Sequence, residues 1–287
     1  MKNLPIYILT IILAVGATLA TQQMVPVDGN GSDAVAEESA YERIMRTDTI
    51  RCGYAMWPPY LFKDPNTGQV SGINYDVMEA MGKLLSLEID WVEETSWATS
   101  IEGLNTGRYD VFCATLWPDG PRTKQSTLTI PTFYSAVFAY VRSDDMRFEG
   151  DLEKLNVSTV TVVGLEGDVT YDVAATDFPK AKVLALPQLS EGGDLLRSVA
   201  TGKADVTFVD EGIARTYNEN NEQKLRKVEG VGPVRVFGEV HAVKVGEFQL
   251  KNLLDTTITT LVNSGVIEKY INDYENSYFP VREEYKK

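Results

Sequence analysis

Short apolar runs alternate along the chain with stretches whose apolar residues return every three or four positions. Val111-Phe112-Cys113-Ala114 and Val206 to Val209 are continuous apolar runs, the mark of strands buried on both faces. Thr49 to Gly53, Leu87 to Val92, Thr159 to Leu165 and Lys182 to Leu186 also read as strands. Between them, Asn74 to Leu85 sets Val77, Met81 and Leu84 at helical spacing with Ala80 among them. Trp97 to Leu104, Tyr171 to Thr176, Glu191 to Thr201 and Ile213 to Asn218 read as further helices. Strands alternating with helices predict an α/β chain with parallel sheet. Two longer strands, Ala136 to Val141 and Val234 to Val245, and two closing helices, Glu247 to Asn263 and Val266 to Tyr274 with Ser264-Gly265 between, complete the pattern.

The strand at Val111 is followed by Trp117-Pro118-Asp119-Gly120-Pro121-Arg122. Ligands of open α/β sheets bind just beyond the carboxyl ends of strands, so Trp117, Asp119 and Arg122 fall where a site is expected. Gly107 ends a helix and leads into Arg108-Tyr109-Asp110 and the strand, and Gly202-Lys203-Ala204-Asp205 repeats that phrase before Val206 to Asp210. The recurrence predicts two similar α/β lobes. One offers Arg122 beyond its strand and the other Asp210, a charge pair suited to a zwitterion across a cleft.

The long strands near Ala136 to Val141 and Phe237 to Val243 carry the chain between lobes twice, and such a pair makes a hinge that permits closure around a ligand. The expected division is residues 48–137 and 239–287 for lobe 1 and 138–238 for lobe 2. Lys2 and the apolar run Leu4 to Ala20, ending in small residues, predict a signal peptide over 1–20, or an anchor if it is retained. No cysteine lies near the end of that run, which speaks against a lipid-linked terminus. Residues 21–47 read as a polar, acidic linker.

A formal net charge of -14 argues against nucleic acid and against tight association with anionic membranes. The single histidine, His241, lies in the strand-like Val240 to Val243. It is a core or hinge residue more readily than a member of a catalytic triad or a zinc ligand, so neither metal nor cofactor is expected. Cys52 and Cys113 both fall in strands of lobe 1; an exported chain permits a disulfide between them, and two buried free thiols are equally ordinary, the balance tipping to free thiols because neighbouring parallel strands rarely set Cβ atoms for a bridge. Met56-Trp57-Pro58-Pro59-Tyr60 is a rigid aromatic loop, and Asp64 to Gly68 a hairpin turn.

Taken together, W-P-P-Y, Gly72-Ile73-Asn74-Tyr75-Asp76, Gly107 to Asp110 with Arg122 beyond, Gly167, Asp205 and Val209-Asp210-Glu211 resemble the polar amino-acid-binding family of solute-binding proteins that serve ABC importers, from Asp48 to the closing helices. The resemblance implies a type II two-lobed fold with a ligand cleft, a monomer outside the cytoplasm, an amino acid or similar small zwitterion or carboxylate as ligand, and a membrane permease as partner. It gives Arg122 the ligand carboxylate, Asp210 the ammonium, Trp57 and Trp97 the two faces of an aromatic sandwich, and Thr115 and Thr170 hydroxyl contacts. Trp117 replaces a small hydroxyl residue of the family pattern and Asp119 a threonine, an acid that would repel a ligand carboxylate if it pointed inward; Tyr54 stands where binders of cationic ligands carry an acid, which reads against a lysine- or arginine-type ligand. Two alternatives share the resemblance: an enzyme like the cyclohexadienyl dehydratases, with Asp119 or Asp168 as acid, and a ligand-sensing module.

Overall fold

The structure, a computed structural model, describes residues 38–58, 60–273 and the backbone of 278–279. The predicted segment 1–20 and most of the linker lie outside the described residues. The chain forms α1 (Ala40–Thr47), β1 (Thr49–Tyr54), β2 (Phe62–Lys63), β3 (Val70–Ser71), α2 (Ile73–Leu85), β4 (Glu88–Glu94), α3 (Ser100–Asn105), β5 (Val111–Leu116), α4 (Gly120–Gln125), β6 (Ser126–Leu128) and β7 (Phe133–Arg142). A single 3-10 turn at Leu152–Leu155 is followed by β8 (Thr161–Leu165), α5 (Val169–Asp177), β9 (Lys182–Leu186), α6 (Gly192–Ala200), β10 (Val206–Asp210), α7 (Glu211–Asn220) and β11 (Leu225–Lys227). Then come β12 (Arg235–Lys244), α8 (Phe248–Asn263), α9 (Val266–Asp273) and β13 (Tyr278–Phe279).

The main sheet runs β4-β1-β5-β12-β7-β10-β8-β9. In lobe 1, β4, β1 and β5 are mutually parallel and β12 is antiparallel to β5. Lobe 2 repeats the scheme: β9, β8 and β10 are parallel and β7 is antiparallel to β10. The lobes are joined where β7 and β12 pair antiparallel, from Val137 opposite Arg235 to Phe133 opposite Glu239. Beyond that point β12 turns to β5 and β6. Each apolar run is buried on both faces as its pattern required. Val111 and Cys113 of β5 enter one core with Met78 and Met81 of α2, while Phe112, Ala114 and Leu116 enter another with Leu104.

The repeated glycine-to-aspartate phrase performs the same task in each lobe. Gly107 and Gly202 both take positive φ, at 71° and 74°, which glycine adopts without strain. Asp110 Oδ2 accepts from Arg51 N–H at 2.8 Å and Asp205 Oδ2 from Thr161 N–H at 2.8 Å, while each aspartate's own N–H donates back to that residue's carbonyl. The aspartates thus clamp the first strand of each lobe to the strand they open. Arginines balance both charges: Arg43 and Arg51 for the buried Asp110, and Arg142 and Arg147 for the half-buried Asp205.

Two expectations are corrected. The end of the linker is a helix, α1. Ser39 and Glu42 form a capping box, with Glu42 N–H donating to Ser39 Oγ at 3.1 Å and Ser39 N–H to Glu42 Oε2 at 3.0 Å. Cys52 and Cys113 are not free thiols; they are joined in a disulfide, with Cα atoms 5.4 Å apart. The strands are offset, so that Cys52 is level with Val111 rather than with Cys113, and both cysteines enter the same core. That diagonal places their Cα atoms within the reach of a bridge, about 4.4–6.8 Å.

The bridge closes a loop whose ends are 61 residues apart. Removing it with the double variant Cys52→Ala, Cys113→Ala is expected to lower the unfolding free energy by about 2–4 kcal/mol, read by denaturant titration. Gly53 packs against the Tyr109 ring, where an added Cβ would lie 2.4 Å from Cε1. Gly53→Ala is therefore expected to cost about 1–3 kcal/mol by overpacking, measured in the same titration.

Candidate functional site

The carboxyl ends of β1, β5, β8 and β10 face a cavity of about 400 Å³ between the lobes. Lobe 1 lines it with Met56, Trp57, Trp97, Leu116, Trp117 and Arg122; lobe 2 with Leu165, Gly167, Asp168, Thr170 and the segment 188–193. The cavity extends along α6 and α7 past Arg197, Thr216 and Tyr217 to Asn220 and Asn221.

The aromatic loop is seated by a glycine. Gly72 has φ 117°, and a Cβ there would lie 2.5 Å from the Tyr60 carbonyl oxygen. This close approach lets Asn74 N–H, at the start of α2, donate to that oxygen at 3.0 Å. Trp57 and Leu61 exchange two backbone hydrogen bonds, and the Trp57 ring stacks on Tyr60 at 4.1 Å between centroids. Trp97 and Trp117 meet Trp57 edge-on at 5.4 and 5.7 Å. Trp57 and Trp97 touch each other, so they form one continuous wall and not the two faces of a sandwich. Tyr54 is buried against Trp91 and does not line the cavity.

Arg122 lies in the six-residue α4, which Asp119 caps by accepting from Arg122 N–H at 2.7 Å. The guanidinium donates to the Trp117 carbonyl at 2.9 Å and pairs with Asp119 at 3.0 Å. Its other end reaches across the cleft to Asp168 Oδ2 at 3.5 Å. Asp168 in turn caps α5 through Thr170 N–H at 2.9 Å, and Thr170 Oγ1 accepts from Leu165 N–H at 3.0 Å. The cation is thus held between carboxylates from both lobes.

Of the residues expected at the site, Trp57, Trp97, Trp117, Arg122 and Thr170 line the cavity. Thr115, Asp119 and Asp210 lie behind it. Thr115 is fully buried and donates to Asn74 Oδ1 at 3.2 Å. Asp119 is the α4 cap. Asp210 caps α7 through Ile213 N–H at 3.0 Å, while its Oδ2 has no partner among the described residues.

Sequence reasoning missed Glu239. This fully buried residue of β12 accepts from Trp117 Nε1 at 2.8 Å and from Ser135 Oγ. Its signal was faint: the one acid of β12, in a strand that also carries Arg235, His241 and Lys244. Burial pushes its carboxyl up to about 7, against the hydrogen bonds from Ser135 and Trp117 and the nearby Thr115 hydroxyl, and the nearby Asp210 adds to the rise. His241 is fully buried, and burial depresses it to about 4, so it is neutral at ordinary pH.

Burial also raises Asp210 to about 6, against the backbone donors of α7. An acid raised in the folded state keeps its proton there while the unfolded chain releases it. Its contribution to stability therefore falls as pH climbs from about 3.8 to about 6, and stays lost above. Asp210→Asn removes this titration. Relative to the parent, the variant is expected to gain on the order of 3 kcal/mol between pH 4 and pH 7, measured by denaturant unfolding at both.

Comparison with known proteins fits this geometry. The L-cystine-binding protein TcyA of Bacillus subtilis (strain 168) is 22% identical over 204 residues, 70% of this chain and 72% of that protein. A crystal structure of an ancestral amino acid-binding protein, a precursor of cyclohexadienyl dehydratase, superposes with a TM-score of 0.68 at 24% identity, covering 83% of this chain and all of that one. An amino acid ABC transporter substrate-binding protein from Streptococcus pneumoniae Canada MDR_19A, bound to L-arginine, gives a TM-score of 0.66 at 21% identity, covering 82% of this chain and 97% of that one. The sequence profile of one family matches residues 50–277, both lobes and both crossings included, and the chain belongs to it: the bacterial extracellular solute-binding proteins, family 3.

Proposed function

We propose that the chain captures an amino acid, or a similar small zwitterion or carboxylate, between its lobes and delivers it to the membrane permease of an ABC importer. The observation that carries this reading is the opposed pair at the cleft. Arg122 of lobe 1 lines it, and Asp210 of lobe 2 lies behind the tryptophan wall with one oxygen unpartnered. A guest carboxylate displaces Asp168 from the guanidinium, whose planar fork suits it. A guest ammonium meets the free oxygen of Asp210 once the wall parts. Because the contacts come from both lobes, the guest binds the closed form better and draws the hinge shut.

The named ligands of similar proteins, L-cystine and L-arginine, supply the first probes. The reading against a cationic side chain loses its footing, since Tyr54 does not line the cavity. We read the chain as a monomer that acts outside the cytoplasm after export by residues 1–20.

A second reading, catalysis of the dehydratase kind, is favoured by one observation: Asp168 lines the cleft beside the Arg122 cation. Binding is the better account, because Asp168 is occupied as a helix cap and an ion-pair partner. Incubation with prephenate or arogenate is expected to yield no product; accumulating product would reverse the preference.

Arg122→Ala and Asp210→Ala are each expected to weaken binding of the amino acid probe at least tenfold, about 1.4 kcal/mol or more, by calorimetry. Unchanged affinity in both variants would reject the assignment.

A further inference from the structure

Glu239 occupies the last position of β12 that pairs with β7, opposite Phe133; the next residue, Val240, already pairs with Leu116 of β5. The strand changes partners, and lobes, at this carboxylate. Oε1 collects two donors from two other elements: the Trp117 indole beyond β5, at 2.8 Å, and Ser135 Oγ of β7. Trp117 Nε1 also reaches Ser135 Oγ at 2.9 Å, so indole, hydroxyl and carboxylate close a small ring of contacts. An indole nitrogen can only donate, and a serine that accepts from it must give its own proton onward; the acceptor that completes the ring is Glu239.

This ring fixes a side chain that the guest must meet. Trp117 is 8% exposed, lines the cavity, stacks on Phe237 at 4.8 Å and meets Trp57 edge-on. A carboxylate buried this deeply is a costly way to hold an indole, because its second oxygen, Oε2, finds no partner among the described residues. The charged group facing it is Asp210 of β10. From β5, its end and β7 it meets Thr115, Trp117 and Ser135, and His241, two residues along β12, is buried and neutral.

We propose that Glu239 is a positioning residue of the cleft, holding the Trp117 indole from inside the hinge so that the tryptophan wall keeps the shape in which it receives the guest. This rests on the reading of the cleft as an amino acid site. The carboxyl acts through Trp117 and does not touch the guest. Its own titration, raised by burial to about 7, changes the strength of the indole hydrogen bond over an accessible pH range. A carboxamide keeps an oxygen for Trp117 and Ser135 but does not titrate, whereas alanine removes the acceptor.

The test has two arms on the full chain. In the first, without any amino acid, the four tryptophans give four indole N–H resonances in a nitrogen–proton correlation spectrum. One resonance, absent in Trp117→Phe, is expected to move between pH 5 and 9 and to stay still in Glu239→Gln. In Asp210→Asn its midpoint is expected to fall, because a neighbouring negative charge is gone. A Trp117 resonance that ignores pH, or that moves equally in Glu239→Gln, overturns the proposal.

In the second arm, affinity for L-arginine and L-cystine is measured by calorimetry. Glu239→Ala is expected to weaken binding at least tenfold and Glu239→Gln less than threefold. Glu239→Ala is expected to add little in a Trp117→Phe background, since the two act as one unit. Equal loss in both backgrounds overturns the proposal. If neither amino acid binds the parent chain, the capture reading fails for these ligands, while the ligand-free spectra still decide the Glu239 claim. If Glu239→Ala does not fold, the Gln and Phe variants carry the same decision.

Discussion

The antiparallel contact between β7 and β12 is the constraint on which the rest of the molecule depends. Each strand leaves one lobe and enters the other, and the rungs from Val137–Arg235 to Phe133–Glu239 join the two halves of the sheet. Because both lobes attach their parallel strands to this pair, the carboxyl ends of β1, β5, β8 and β10 point at one gap. The cleft is therefore a product of topology before any side chain is chosen. Relative motion of the lobes must twist this ladder, so side chains lodged on it, Ser135, Phe237 and Glu239, feel every such motion.

Upon that frame the chain places an aromatic wall and a set of acids around one lining arginine that bridges the lobes. Tryptophan faces exclude water and lower the effective dielectric, which strengthens the charge pairs near them. Arg122 pairs with both Asp119 and Asp168. Asp119 belongs to the same short helix, so only the Asp168 contact spans the gap. On the capture reading, a guest carboxylate exchanges for Asp168, and the affinity is the difference between two ion pairs. Such a difference selects for geometry more than for charge alone.

The frame was legible where one residue or one spacing decided it. Runs such as Val111 to Ala114 announced doubly buried strands, and the repeated phrases ending in Asp110 and Asp205 announced two lobes of one plan. Trp117 and Arg122 were legible for the same reason: they follow directly from a strand end. Contacts that depend on packing between distant segments were not. Glu239, Ser135 and Trp117 lie on three elements, and nothing in any one of them signals the other two. The disulfide escaped because it depends on a strand offset, which composition does not carry. The helix α1 was hidden by its polar surroundings, although Ser39-Ala40-Tyr41-Glu42 spells its cap. Trp57 and Trp97 were expected to flank a guest, and their mutual edge-to-face contact is a matter of side-chain direction that spacing does not give.

The sulfur bridge sets the two lobes apart in a way their matching topology does not. Both cysteines have no exposed surface, so a soluble reductant reaches them only after lobe 1 has opened. Loss of the bridge then becomes a clock for the opening of that lobe alone, and lobe 2, built on the same plan, has no such clasp among its described residues. The half that carries the aromatic loop is the cross-linked one, so its unfolded ensemble alone is held short by a covalent clasp among the described residues.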